Sequence, residues 1–243
     1  MNIQEFLNVS THKYSTAKKA NPLLKKAKQL EQTPEVNFKI KEIELFLKYS
    51  KINDFFPTPK PIAEVLANCV DFIYSGFDIL EPSAGVGNLA DAIKSKYIDY
   101  AKNVKLDCIE INYELAEYLK AKGHTVFNCD FLTYETSKKY DLIVMNPPFK
   151  DLLKHLNKAL ELLKTDGQIL CIVPTMTSSK NKNFVDKTGA VIYNYNFDFS
   201  EVKTGCKCQL LEINRKKIKE FAITLFDFFC RDDNEFNFID RYF

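Results

Sequence analysis

Apolar residues in this chain fall into short unbroken runs that alternate with stretches where they recur every three or four positions. Short runs bounded by glycine, proline or acids read as buried strands, and the longer spacing reads as helices with one apolar stripe. The strands this predicts start at Phe77, then cover Val104 to Glu110, Thr125 to Cys129, Tyr140 to Met145 and Gln168 to Val173. Between them, Ile62, Val65, Leu66 and Val70 mark a helix, and another begins around Asn88. A third runs from about Asn112 to Lys122, with Gly123 as its stop. Leu152, Leu153, Leu156, Leu160 and Leu163 mark a fourth, which Gly167 ends. Residues 175–189 are polar and carry Lys180, Lys182 and Lys187, the pattern of a mobile loop. Val191 to Phe199 then alternates aromatic with Asn or Asp, and Gln209 to Ile213 is a last short strand.

Both ends read differently. Ile40, Ile43 and Leu47 recur at helical spacing, which predicts an amphipathic helix over roughly 35–50. Phe221, Leu225, Phe228 and Phe229 predict another in 215–243, followed by an aromatic and acidic tail. The expected division is a basic helical extension over 1–53, a central domain over 54–214, and a C-terminal helix and tail over 215–243. A chain of 243 residues is long enough for one large α/β domain with an appendage.

Composition adds little until it is localised. Hydrophobic residues make up 46% and charged residues 27%, as in an ordinary soluble protein. The net charge is only +2, yet residues 1–53 hold ten lysines against five acids. The cluster Lys18, Lys19, Lys25, Lys26 and Lys28 fits a phosphate-binding face and a solvated helical face equally well. Seven dispersed cysteines read as reduced thiols, and the lone Cys206-x-Cys208 pair lacks the partners of a zinc site. His12, His124 and His155 match no metal spacing and read as surface or helix-end histidines, so no metal is expected. No apolar run reaches the roughly 20 residues needed to span a bilayer, and no signal-peptide core is present, so a cytoplasmic protein without a membrane partner is expected.

The candidate chemistry gathers at strand ends. Phe77 to Leu80 runs into Glu81-Pro82-Ser83-Ala84-Gly85-Val86-Gly87 and then a helix. Gly85 and Gly87 let the backbone approach a ligand, as in nucleotide-binding strand-to-helix turns. The spacing is not the dinucleotide fingerprint, and no Gly-Lys-Ser/Thr is present for phosphate. The Glu81 carboxylate suits a ligand with a cationic amino group better than a pyrophosphate. Glu110 ends the second strand, where a carboxylate can accept both hydroxyls of a ribose; buried there without a partner it would be costly. Asp130-Phe131 follows the third strand and can hydrogen-bond and sandwich an adenine ring.

The fourth strand delivers Asn146-Pro147-Pro148-Phe149. An exocyclic amine on an aromatic ring is a poor nucleophile because its lone pair is delocalised. Two acceptors aimed at its N–H bonds favour a tetrahedral nitrogen and free that lone pair. Asn146 offers a side-chain oxygen and Pro147 a backbone carbonyl, which the paired prolines hold in a fixed direction. Phe149 offers a flat face for a planar base or amide. Read alone, Pro-Pro also serves simply to end a strand.

Together these motifs, with Phe56-Pro57-Thr58-Pro59 ahead of them, resemble the class I S-adenosylmethionine-dependent methyltransferases. More narrowly they are similar to the gamma-type enzymes that methylate N6 of adenine in DNA. The resemblance runs from about Phe55 to Asn214. It implies a Rossmann-like α/β fold, a mixed seven-stranded sheet with helices on both faces, and S-adenosylmethionine as cofactor. Thr58 and the loop Glu81, Ser83, Ala84, Gly85 and Gly87 would hold its methionine part. Glu110 with Ile111 would hold the ribose, and Asp130 with Phe131 the adenine. Asn146, Pro147 and Pro148 would form the turn that grips the target amine, and Phe149 would stack on the base, with Phe197 or Phe199 on its other face. The implied substrate is DNA, with RNA adenine or a protein glutamine amide as the alternative. Gamma-type enzymes usually carry a C-terminal recognition domain, whereas about thirty residues follow the last strand here, so a separate specificity partner or a homodimer is an expectation.

Overall fold

The computed structural model describes residues 41, 56–71, 75–98, 103–176, 178–197 and 207–218. The expected helix at roughly 35–50 and the apolar face beyond residue 218 lie outside the described residues, as do Phe199 and the N-terminal lysine cluster.

Among the described residues, helix α1 (Lys60–Asn68) is followed by seven strands, β1 (Asp78–Glu81), β2 (Lys105–Ile109), β3 (Thr125–Phe127), β4 (Tyr140–Met145), β5 (Leu163–Pro174), β6 (Val191–Phe197) and β7 (Cys208–Asn214). Four helices connect them: α2 (Asn88–Ile93), α3 (Tyr113–Ala121), α4 (Leu152–Leu162) and α5 (Ser179–Thr188). The sheet order is β3-β2-β1-β4-β5-β7-β6. β7 runs antiparallel to both β5 and β6, and the first five strands are parallel. This is the mixed seven-stranded sheet that the resemblance implies.

Alternate residues of each central strand feed opposite layers. In β4, Leu142 and Val144 face one core with Leu66 of α1, Leu89 of α2 and Leu119 of α3. Ile143 and Met145 face the other with Leu156 of α4 and Phe184 of α5. All six β4 residues are buried, and each large side chain contributes about 1.5–3 kcal/mol on burial. The strand order reverses between β1 and β4, so the loops leaving their C-terminal ends part and open a crevice. At the opposite ends, Lys138 bridges Asp107 (2.7 Å) and Asp78 (3.0 Å), and Lys164 binds Asp141 (2.7 Å). That network ties strand starts together on the side away from the crevice.

Three expectations change. The helix expected to stop at Gly167 ends at Leu162, and Gly167 lies inside β5. A Cβ there would meet Leu163 Cδ1 at 2.7 Å and the Asp141 carbonyl at 3.0 Å, so this glycine serves strand packing and not a helix cap. The polar 175–189 stretch holds a helix, α5, begun by Ser178, whose Oγ accepts the Asn181 N–H at 3.3 Å, and closed by Gly189 at φ 63°. Phe184 anchors it in the core. The third strand stops at Phe127, because Asn128 turns back to donate to the Glu110 carbonyl at 2.7 Å.

Candidate active site

The crevice is a cavity of about 940 Å³ walled by the turns after β1, β2, β3 and β4 and by the segment ahead of α1. Each turn brings its own chemistry.

After β1, Gly85 (φ 55°) and Gly87 (φ 78°) bend the backbone sharply. The turn is closed by Gly87 N–H to the Ala84 carbonyl (2.7 Å) and pinned to β2 by Ala84 N–H to Ile109 (3.0 Å). Ser83, Ala84 and Gly85 line the cavity; Gly87 does not. Gly87 is buried behind the turn, where a Cβ would strike Leu119 at 2.5 Å, so it shapes the loop from outside the cavity. Lys122 donates to the Val86 carbonyl (2.7 Å) and pairs with Asp91, which also holds His124 (2.8 Å). Burial works against ionisation of Asp91, but His124 and Lys122 outweigh it and hold its carboxyl below the usual range.

Glu81 closes β1 and lines the cavity while only 1% exposed. The Ala90 N–H is a hydrogen-bond partner of its carboxyl, but Oε2 has no partner. Burial drives its pKa well above the ordinary carboxylate value, against the Ala90 N–H that lowers it. An unpaired carboxyl oxygen in a cavity wall is an expensive feature unless a cation or donor arrives to use it.

Glu110, at the end of β2, is 7% exposed. Its Oε2 accepts the Gly85 N–H (2.7 Å) and its Oε1 the Asn112 N–H (2.8 Å). Burial raises this carboxyl too, and those N–H groups pull it part of the way back. Among the described residues the partners of this carboxyl are thus backbone N–H groups. With the Ile111 N–H as a third backbone partner, the carboxylate keeps an acceptor lone pair for a ligand. Ile111 beside it is 68% exposed and lines the same wall. Asp130 uses Oδ1 to cap a short helical turn through Leu132 N–H (2.9 Å), and buried Phe131 packs on His155 with ring centroids 5.8 Å apart. Glu110→Ala should weaken binding of a ribose-bearing cofactor by about 1–3 kcal/mol, from lost hydrogen bonds and a loosened Gly85 turn. Calorimetry measures it; unchanged affinity would mean that this acid serves the loop alone.

After β4, Asn146, Pro147, Pro148 and Phe149 all line the cavity. The Asn146 amide nitrogen donates to Thr58 Oγ1 (3.1 Å) and to the Phe56 carbonyl (3.3 Å). Its oxygen accepts no bond among the described residues. The Pro148 carbonyl takes the Asp151 N–H (3.2 Å), whereas that of Pro147 takes none among the described residues. The turn thus presents two acceptors beside the half-buried Phe149 ring.

Phe197 lies elsewhere. It is 5% exposed on β6, in the core, in a ladder with Tyr195 (5.6 Å) and Tyr193. The resemblance implies it as a stacking residue, but the strand's alternation turns this row toward the core on the α1 side of the sheet. Sequence reasoning also missed His155, which is buried and lines the cavity, its Nδ1 donating to the Asp151 carbonyl (3.0 Å). Its spacing from Leu152, Leu156 and Ala159 puts it on the apolar stripe of α4, a signal present in the sequence. Lys150 is a further wall residue without a local motif to announce it.

The wall suits S-adenosylmethionine on its own evidence. The orphaned Glu81 oxygen can take a cationic group, the Glu110 and Asp130 carboxylates can accept hydroxyl and amine donors, and no cavity wall among the described residues resembles a pyrophosphate cradle. Among the described residues no group of His, Cys, Asp or Glu is placed to hold a metal ion, and no helix is long and apolar enough to cross a membrane.

Comparison with known proteins agrees. A type II methyltransferase, M.CvrRI, of Paramecium bursaria Chlorella virus XZ-6E is 31% identical over 119 residues, 46% of this chain and 30% of that protein. A tRNA1(Val) (adenine(37)-N6)-methyltransferase of Flavobacteriaceae bacterium (strain 3519-10) is 28% identical over 167 residues, 55% of this chain and 70% of that protein. Among solved structures, the type I restriction-modification methyltransferase subunit of Streptococcus thermophilus superposes with TM-score 0.54 at 16% identity, covering 65% of this chain and 44% of that one. The 23S rRNA methyltransferase ErmE does so with TM-score 0.51 at 16% identity, covering 70% and 79%. These two likenesses concern the fold. The methyltransferase small domain family matches residues 63–191, more than half of the sequence. The chain belongs to that family and has the class I S-adenosylmethionine-dependent methyltransferase fold.

Proposed function

We propose that this enzyme methylates the N6 amino group of adenine in DNA. The observation that carries the reading is the Asn146 amide, its nitrogen tied to Phe56 and Thr58 so that its oxygen is left for a ligand's N–H. Bound S-adenosylmethionine supplies an electrophilic methyl group on a good leaving group. The protein's part is to make the amine a nucleophile. Asn146 Oδ1 and the Pro147 carbonyl accept its two N–H bonds, the nitrogen becomes tetrahedral, and its lone pair points along the remaining direction. No base is needed before attack; the surplus proton leaves for solvent after the N–C bond forms. Phe149 supports the ring by stacking, worth about 1–3 kcal/mol. A duplex must first release the base from its stack, at a cost of a few kcal/mol.

Phosphate contacts fall to lysines near this opening. Lys150 lines the cavity, and exposed Lys180 and Lys182 sit on the first turn of α5, which follows the C-terminal end of β5 on the same side of the sheet. With the lysines of residues 1–53 they make binding dependent on counterion release. Affinity for duplex DNA is expected to fall with salt at a log–log slope near −0.9 per phosphate, and neutralising Lys18, Lys19, Lys25, Lys26 and Lys28 should flatten it on all sequences alike. A salt-independent affinity would remove this part of the reading.

RNA adenine is the second reading, favoured by the greater share of the tRNA enzyme that this chain spans. Tritiated methyl donor offered separately to duplex DNA, single-stranded DNA, RNA and protein decides between them. Label in DNA is expected; label in RNA alone selects the second reading, and label in protein alone ends both.

A further inference from the structure

Thr58 is the residue where the cofactor side and the target side of the cavity meet. It is 7% exposed and sits between Pro57 and Pro59, just ahead of α1. A residue before proline is confined to extended conformations, and both neighbours lock their own φ, so the segment is stiff. Its foundation is α1, whose Leu66 and Ala63 are almost wholly buried. On one side the Thr58 carbonyl accepts Asn88 Nδ2 at 2.7 Å, and Asn88 opens α2 directly after the glycine turn. On the other, Thr58 Oγ1 accepts Asn146 Nδ2 at 3.1 Å across 88 positions of sequence.

The second acceptor settles which way the amide points. The Phe56 carbonyl has lone pairs and no proton, so it can face only the NH2 end of Asn146. A flipped amide would set its oxygen against that carbonyl. With the NH2 group held by two acceptors, Oδ1 is the end left for a ligand.

We propose that Thr58 is a positioning residue for Asn146: through its hydroxyl, together with the Phe56 carbonyl, it fixes the rotamer and amide orientation that aim Oδ1 at the target amine. The proposal rests on the amine-gripping role of Asn146. It adds a duty to Thr58 distinct from holding the methionine part of the cofactor, and the two separate kinetically. A cofactor contact acts on binding of the methyl donor; an orienting contact acts on turnover once donor and target are saturating.

Thr58→Val keeps the shape and removes the acceptor, whereas Thr58→Ser keeps the acceptor. At saturating methyl donor and DNA, Thr58→Val is expected to lower kcat about tenfold or more, with the donor Kd within about threefold of wild type and Thr58→Ser close to wild type in both. The proposal is overturned if Thr58→Val keeps its kcat, or if its whole effect is on donor Kd. Thr58→Ala repeats the test should the valine fail to pack, as judged by thermal unfolding. A readout independent of turnover is the Asn146 side-chain amide in a nitrogen–proton correlation spectrum, assigned by its loss in Asn146→Ala. Its resonances should shift in Thr58→Val and stay in place in Thr58→Ser; unmoved resonances in the valine variant contradict the clamp. If wild-type enzyme labels no nucleic acid, the functional reading falls, and the spectrum still decides whether Thr58 orients Asn146.

Discussion

Asn146→Ala is expected to lose about two to three orders of magnitude in kcat, the cost of removing one preorganised group that acts on charge developing in a transition state. Donor affinity should stay nearly unchanged, because the amide is bonded to Phe56 and Thr58 and not to any group on the glycine turn. This separation is the signature of an interaction realised in the transition state. Rapid-quench measurement with labelled donor at saturating DNA reads the loss, and calorimetry reads the affinity. A variant with wild-type turnover would remove Asn146 from the chemistry.

The second large effect concerns Glu81. Its carboxyl is buried with Oε2 unpartnered, and burial holds its folded pKa well above the ordinary 4.5. A group raised in this way contributes its stability below its unfolded value, and that contribution is lost as pH rises through the folded value. Free enzyme should therefore lose stability on this account as pH climbs above the ordinary carboxylate range. Glu81→Gln, which cannot ionise, should flatten that slope and melt no lower than wild type at neutral pH. The same substitution should weaken the cationic methyl donor by about 1.5–3 kcal/mol, since an ionised carboxylate makes the stronger hydrogen bond. Wild-type donor affinity should rise with pH, because the site binds donor best after Glu81 has released its proton. Thermal unfolding of free enzyme across pH, with calorimetry on both proteins, checks the pair. A glutamine variant with unchanged donor affinity would show that Glu81 is structural.

How much of this was legible in the chain depends on how local each signal is. β4 matches its sequence reading from Tyr140 to Met145 because all six residues are buried, leaving a continuous run bounded by Lys139 and Asn146. α3 matches because its cap is written beside it: Asn112 Oδ1 accepts the Leu115 N–H at 2.9 Å, and Gly123 follows at φ 81°. The acids at strand ends were legible as acids in the crevice, since parallel strands deliver their C-terminal residues to one side. What they touch was not. Glu110 meets Gly85 across 25 residues and Thr58 meets Asn146 across 88, and no periodicity records such a distance. α5 was read as loop because it buries one large apolar residue, Phe184, too few for a stripe. Phe197 came only from the resemblance, and an alternating strand has two faces without the sequence saying which one meets the helices.

If the Asn146–Pro147 turn holds an exocyclic amine, the methyl group ends on that nitrogen. The direct measurement is to methylate DNA with labelled donor, digest it to nucleosides and identify the labelled species by chromatography and mass. N6-methyldeoxyadenosine is expected, and it should be absent from the digest when Asn146→Ala replaces wild type. Label on a ring carbon, a ring nitrogen or a hydroxyl, or label that persists undiminished with Asn146→Ala, would contradict this.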